Sequence, residues 1–192
     1  MQKDVTVRKL KLQVQVTLDG YMAGPNDEMD WISTSWSDDV GPYITSIMES
    51  VDTILIGRNL AEGFIPAWES RPEGEPEEAI DWMNNTPKVV VSNTLTSSPW
   101  NNATIASGDL AAIVEGLKSS DGGDVITYGG ARLAASLVEA GLVNDLHLIV
   151  NPTAIGTGKP VFGNGDGYGR FEVARVTPFS GGMYAVHLHP RT

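Results

Sequence analysis

Strand-length apolar runs alternate with helix-length segments along much of this chain, and that rhythm limits the architectures open to it more than any other feature. DTILIG (52–57), KVVVSN (88–93), TIAS (104–107) and DVITYGG (124–130) are short, β-branched and bounded by turn formers. DLAAIVEGLKSS (109–120) follows the third run and ARLAASLVEAG (131–141) the fourth, each with apolar residues at helical spacing: Leu110, Ile113, Val114 and Leu117 in one, Leu133, Leu137 and Val138 in the other. Apolar strands joined through helices cannot pair as hairpins. They pair in parallel through crossovers, with helices covering both faces of the sheet.

The flanks add strands of a different kind. Leu10, Leu12, Val14 and Val16 alternate with Lys11, Gln13 and Gln15, the period-two pattern of a strand with one buried face, and Asp19-Gly20 closes it with a turn. A turn-rich loop, GPNDEMDW (24–31), leads to VGPYITSIMES (40–50), where Ile44, Ile47, Met48 and Val51 fall at helical spacing. ESRPEGEPEEAIDW (69–82) is acidic and interrupted by Pro72 and Pro76, and reads as a solvated loop entering a helical turn. Past Asp145 come the strand DLHLIVNP, a glycine-rich loop to Arg170, and two strands about Ser180-Gly181-Gly182. The expected fold is therefore α/β: a mixed, mostly parallel central sheet between helix layers, with antiparallel strands at the C-terminal end. Neither a repeat nor a linker divides residues 1–192, so a single domain is expected.

Charge and composition narrow the function. A formal charge of −11 repels phosphate backbones and anionic headgroups, so neither nucleic acid nor a membrane is an expected partner. The chain has no cysteine, which removes thiolate nucleophiles and cysteine-rich zinc sites. The N-terminal segment lacks the continuous apolar run of a signal or a span, and a cytoplasmic location is expected. His187 and His189 share one face of a strand, yet no third ligand stands at a recognisable spacing. No metal site is read from them; they are expected as solvated or hydrogen-bonded imidazoles of an edge strand.

Chemistry is expected where parallel strands end, because ligands of open α/β sheets collect at the carboxyl ends of strands beside helix N-termini. Gly129-Gly130 stands at one such end. The pair either admits a pyrophosphate to the helix start or serves a tight turn that needs positive φ, and the motif alone leaves both open. Gly57-Arg58 and Ser92-Asn93-Thr94 end two further strands with groups suited to a second phosphate, though Ser92 and Thr94 could equally cap a turn. Neither G-x-G-x-x-G nor the P-loop pattern occurs, so the standard dinucleotide and mononucleotide loops are not supported.

These stretches, together with TLDGYMAGPNDEMDW (17–31), DTILIGRNLAEGF (52–64), VVVSNTL (89–95), VITYGGARLAASLVEAGLVNDLHLIVNPTAIGTGKPVF (125–162) and FSGGMYAVHLHP (179–190), resemble the dihydrofolate-reductase-like family. Within it they are most similar to the reductase domain of the bifunctional riboflavin-biosynthesis deaminase-reductase and its stand-alone relatives. The resemblance implies a dihydrofolate-reductase-like three-layer fold and an NADPH-dependent reductase of a small heterocyclic substrate, in the manner of 5-amino-6-(5-phosphoribosylamino)uracil reductase. It places Thr17, Ala23 and Gly24 beside the nicotinamide, Gly57, Arg58, Ser92 and Thr94 at the adenosine-ribose phosphate, and Gly129, Gly130, Ala131 and Arg132 at the pyrophosphate. Where the family often has a threonine two residues after the arginine of its GR motif, this chain has Leu60. Asp30 is the candidate to orient substrate or relay a proton, with Asp38 and Asp39 behind it; Trp31 and Trp36 are candidates to stack on a planar heterocycle, and Asp38 to contact substrate. Such relatives tend to form homodimers, and DLHLIV is the apolar strand expected to face the partner. Dihydrofolate reductase itself, and a nucleotide-binding module without turnover, are the alternative functions on the same fold.

Overall fold

The structure is a computed structural model that describes residues 8–32, 37–163 and 169–191. Its centre is an eight-stranded sheet built from β1 (Leu10–Thr17), β3 (Val51–Gly57), β4 (Lys88–Val91), β5 (Ala103–Ala106), β6 (Asp124–Thr127), β7 (Asp145–Asn151), β9 (Phe171–Pro178) and β10 (Tyr184–Pro190). The strand order is β5-β4-β3-β6-β1-β7-β10-β9. Every pairing from β5 to β7 is parallel, and β10 runs antiparallel to both β7 and β9. Two short strands, β2 (Tyr21–Ala23) and β8 (Lys159–Pro160), pair apart from it as an antiparallel ribbon.

Helices cover both faces, as apolar strands buried on two sides require. On one face α4 (Leu110–Ser119) and α5 (Ala131–Glu139) pack Val114, Ala134 and Leu137 onto Leu10, Leu12, Leu55, Val125 and Leu146. On the other, α1 (Val40–Met48), α2 (Arg58–Glu69) and α3 (Glu77–Asn85) bring Ile47, Ala61, Ile65 and Met83 against Ile54, Ile56, Val90 and Ile126. Consecutive residues 54, 55 and 56 thus serve opposite cores, the direct outcome of period-two alternation in a strand buried on both sides.

Several expectations need correction. Val51 opens β3 rather than continuing the first helix. The acidic segment yields a nine-residue helix, α3, because Ile80 and Met83 have an apolar seat on the core. Helix α2 was not anticipated. Its Ala61 and Ile65 pack inward four residues apart, and Pro66 lies within its final turn without ending it. DLHLIV cannot face a partner: β7 lies inside the sheet between β1 and β10, and every residue of it is buried. For the same reason His187 and His189 are not on an edge; β9 is the edge strand.

Candidate active-site cleft

Two helices start side by side at the carboxyl ends of adjacent strands. Gly57 ends β3 and is also the N-cap of α2, and Gly130 is the N-cap of α5; neither helix has a side-chain cap or an acidic residue in its first turn. The starts touch. A Cβ on Gly57 would stand 3.5 Å from the Cβ of Leu133, and one on Gly130 would stand 3.4 Å from that of Leu60. Helix α4 provides the contrast, since Asp109 caps it by accepting from the Ala112 N–H at 2.9 Å. Where a capping carboxylate is present an N-terminus is already neutralised. At α2 and α5 the free N–H groups and the partial positive ends of both dipoles face the same space.

That space is a cleft of about 2220 Å³, lined by all three strand-end segments. Pockets for drug-sized ligands run to roughly 300–1,000 Å³, so this one has room for a dinucleotide together with a second molecule. Ala23, Gly57, Arg58, Ser92, Thr94, Gly129, Gly130, Ala131 and Arg132 all line it, and Arg58, Arg132 and Lys159 place cations there in a chain of net charge −11. Gly129 and Gly130 have φ of +104° and +77°, so the turn itself demands glycine. The two readings of the pair are therefore compatible: positive φ makes the turn, and the missing side chains leave its amides uncovered. A Cβ on Gly129 would also come within 3.2 Å of Val14.

Other groups are less free. Arg58 pairs with Glu62 one turn on, at 3.3 Å. Ser92 Oγ accepts from the N–H groups of Thr94 and Leu95 at 3.2 and 3.1 Å, so it shapes the β4 turn while lining the cleft. Leu60 lies in the lining against Gly130 and presents methyl groups where the family often has a hydroxyl.

Six predicted residues among those described do not line the cleft. Thr17 is buried, its hydroxyl donating to Asp19 at 2.6 Å and accepting from the Tyr21 N–H at 2.9 Å. Asp19 carries this turn across to the amides of Ile155 and Gly156, and the Thr17 hydroxyl, with those amides, holds its carboxyl below the usual carboxylate range. Gly24 makes a turn in which its N–H donates to the Glu28 carbonyl at 2.8 Å. Trp31 is buried and donates its indole N–H to the same carbonyl at 3.1 Å, so it packs the loop. Asp30 and Asp38 are exposed. Asp39 accepts from the Ser180 N–H at 2.8 Å and ties the entry of α1 to the β9–β10 turn. Trp36 lies outside the described residues.

Sequence reasoning missed Gln15, Asn59, Tyr128 and the β2–β8 ribbon, which supplies Ala23, Lys159 and Pro160 to the rim. Tyr128 had a signal, since it directly precedes the glycine pair at a strand end. Its ring stacks on Phe64 with centroids 5.7 Å apart, its hydroxyl meets the Met48 sulfur at 3.5 Å, and burial pushes the phenol above its ordinary pKa. It remains neutral over the physiological range. Gln15 had none, because its cleft position depends on β1 and β7 lying side by side, which also lets its carboxamide accept from Asn151 at 2.8 Å.

The sheet of this order, with its cleft at the strand tips and two glycine-capped helices beside it, has the dihydrofolate-reductase-like fold. Residues 8–185 match the RibD C-terminal domain, and the chain belongs to that family. It is 31% identical to the uncharacterized protein YyaP of Bacillus subtilis (strain 168), over 98% of each chain. Among solved structures it is similar to a putative riboflavin biosynthesis protein from Shewanella sp. PV-4, with TM-score 0.76 and 21% identity over 96% of this chain and 99% of that one. It also resembles a Thermotoga maritima diaminohydroxyphosphoribosylaminopyrimidine deaminase/5-amino-6-(5-phosphoribosylamino)uracil reductase (TM-score 0.68, 17% identity), covering 96% of this chain and 57% of that one. Dihydrofolate reductase from Enterococcus faecalis, complexed with NADP(H), shares the fold at TM-score 0.63 and 13% identity, over 96% of this chain and 97% of that one. The family is one of reductase domains, and no helix among the described residues is long and apolar enough to cross a membrane.

Proposed function

We propose that the protein is an NADPH-dependent reductase of a small heterocyclic substrate, close in kind to 5-amino-6-(5-phosphoribosylamino)uracil reductase. The observation that carries this reading is the contact between two glycine-capped, uncapped-by-side-chain helix starts at the floor of one large cleft. The residues present fit the cofactor: a side chain at Gly130 would fill the space against Leu60, and without one the first-turn amides of α5 are open to an anion. Gly129, Gly130, Ala131 and Arg132 would hold the pyrophosphate. Arg58, released from Glu62, would take the phosphate on the adenosine ribose with Ser92 and Thr94. Ala23 on the β2–β8 ribbon would wall the nicotinamide.

Bound NADPH supplies the hydride, and the chain's part is to position, to exclude water and to govern the proton. Asp27 and Glu139 are the carboxylates lining the cleft among the described residues, and Asp27 is paired with Lys159. Asp30 is outside the lining, so the proton is assigned to solvent rather than to that residue. The dihydrofolate reductase alternative is disfavoured by α1, whose sequence VGPYITSIM carries no carboxylate to clamp a pterin. A homodimer is also proposed, now on the exposed Val173 and Val176 of β9 in place of DLHLIV; light scattering tests it. Fluorescence titration with NADPH tests the main reading: saturable binding that weakens in Arg58→Ala supports it, and absence of binding at millimolar NADPH overturns it.

A further inference from the structure

The chain has three histidines; His187 and His189 meet the carboxylate of Asp145 at the amino end of β7, and the third, His147, stacks on His187. Asp145 opens β7 and is 3% exposed. Its Oδ1 lies 2.8 Å from His187 Nε2 and 3.1 Å from His189 Nδ1, and the three donor atoms all lie within 4.8 Å of one another. Its Oδ2 is buried without a well-formed hydrogen bond, with the half-exposed Lys9 ammonium 3.3 Å away. The β9–β10 register shifts between His187 and Leu188 with the extra residue, Ala174, on β9, so β10 keeps its alternation and presents both imidazoles on one face, where the His187 and His189 rings meet edge-on with centroids 4.7 Å apart. His147 stacks on His187 at 4.1 Å and is itself held by the Tyr43 hydroxyl at 3.0 Å, which fixes the plane of the His187 ring.

We propose that Asp145, His187 and His189 bind one zinc-class divalent cation, with a further coordination position open to solvent. Two imidazole nitrogens and one carboxylate oxygen suit zinc and its neighbours, and offer too few oxygens for calcium or magnesium. Ligands about 2.0–2.2 Å from a tetrahedral zinc stand roughly 3.3–3.5 Å apart. The two separations at Asp145 are shorter by a few tenths of an ångström, as expected where imidazole N–H groups occupy the position the cation would take. His189, 40% exposed, and Lys9, 53% exposed, have the freedom to open that space, Lys9 by turning its charge to solvent. Binding requires His187 to carry its proton on Nδ1 and His189 on Nε2. The cation would clasp β7 to β10, and it would stabilise the fold by an amount that grows with the logarithm of free metal above its dissociation constant.

The test uses untagged full-length protein stripped with a chelator. Titration with Co²⁺ is expected to give visible d–d absorption saturating at one equivalent per chain and displaced by Zn²⁺. Millimolar Mg²⁺ is expected to leave it unchanged. Zn²⁺ is expected to raise the melting temperature by several degrees, and His189→Ala, which removes a direct ligand, to weaken Zn²⁺ binding by at least the roughly 10–100-fold that losing only an outer partner of a ligand typically costs. His189→Ala replaces a half-exposed side chain; His187→Asn serves as a second variant, and the metal-free melting temperature of each reports whether it folds. Saturation at other than one equivalent, no binding at 100 µM metal as the order of magnitude, or affinity unchanged in both folded variants would overturn the proposal.

Discussion

The same parallel strands end very differently at their two extremities. At the amino ends, charged side chains lace neighbours together. Arg8, 6% exposed, bonds to the Gly123 and Leu117 carbonyls, the Ser120 and Thr53 hydroxyls and the Asp52 carboxylate, joining β3 to the loop before β6. Lys11 pairs with Asp124 at 3.2 Å, and Asn144 accepts from the Leu10 N–H at 2.9 Å. At the carboxyl ends of β3 and β6 such links are missing among the described residues; glycines and bare amides take their place. The difference teaches where this fold keeps stability and where it keeps function. Burying and pairing charge at one end holds the register, which lets the other end leave its polar main chain open to a ligand.

The comparison is broken most directly by exchanging effects between the ends. Arg8→Met takes the guanidinium from the Gly123 carbonyl and from the half-exposed Asp52, which keeps the Gly123 N–H and Thr53 hydroxyl, and is expected to lower the unfolding free energy by about 1–3 kcal/mol, measured by urea denaturation. The affinity for NADPH of the fraction that remains folded should not change; a matching loss of affinity would show that the ends are coupled. Next in size, Gly130→Val forces a β-branched residue to φ +77° against Leu60. It is expected to cost about 1–3 kcal/mol of stability and to abolish NADPH binding measurable by fluorescence titration.

Arg58→Ala sharpens the contrast further. It should weaken NADPH binding by about 10–100-fold, the equivalent of a charge-assisted hydrogen bond, while NADH binding and the melting temperature barely move. Leu60→Thr tests the departure from the family pattern: restoring the hydroxyl is expected to tighten NADPH binding by up to about tenfold, read in the same titration.

The smallest effect concerns acid. Burial raises the Asp124 pKa, but the Ser50 hydroxyl, the Lys9 N–H and Lys11 outweigh it and hold the carboxyl below its ordinary value. A depressed folded-state pKa means this stabilisation is present above the unfolded carboxylate pKa of about 4 and is lost as pH falls through the folded value. Asp124→Asn should therefore be the less stable protein at pH 7 and should lose less stability between neutral and acid pH, as followed by thermal melts. A variant with the wild-type acid dependence would remove Asp124 from the amino-end lacing.

Much of the carboxyl-end architecture was legible because main-chain sites leave local signatures. Strand, glycine and helix succeed one another within a few residues at Gly57-Arg58 and at Gly129-Gly130-Ala131, and periodicity alone puts those glycines at strand tips. The loop after β1 was less legible: Thr17, Gly24, Asp30 and Trp31 looked available, but hydrogen bonds to Asp19, Tyr21 and Glu28 turn the first two and the indole to structural use. Gln15 was not legible at all, and of the Asp145 cluster only the shared face of His187 and His189 was. Both depend on strands distant in sequence becoming neighbours, β1 with β7 and β7 with β10, and no spacing within the chain encodes that adjacency. Helix α2 escaped for a local reason, since its polar residues and Pro66 obscure a stripe that only Ala61 and Ile65 carry to the core.

The ribbon that forms the cleft rim pairs Tyr21 with Pro160 and Ala23 with Lys159, outside the eight-stranded ladder. So short a ladder has little cooperativity of its own, and Met22 and Val161, buried in the main core, are what seat it. Pro160 lies in that ladder and on the cleft rim, so a substitution there is expected to reshape the rim in a protein whose denaturation curve does not shift.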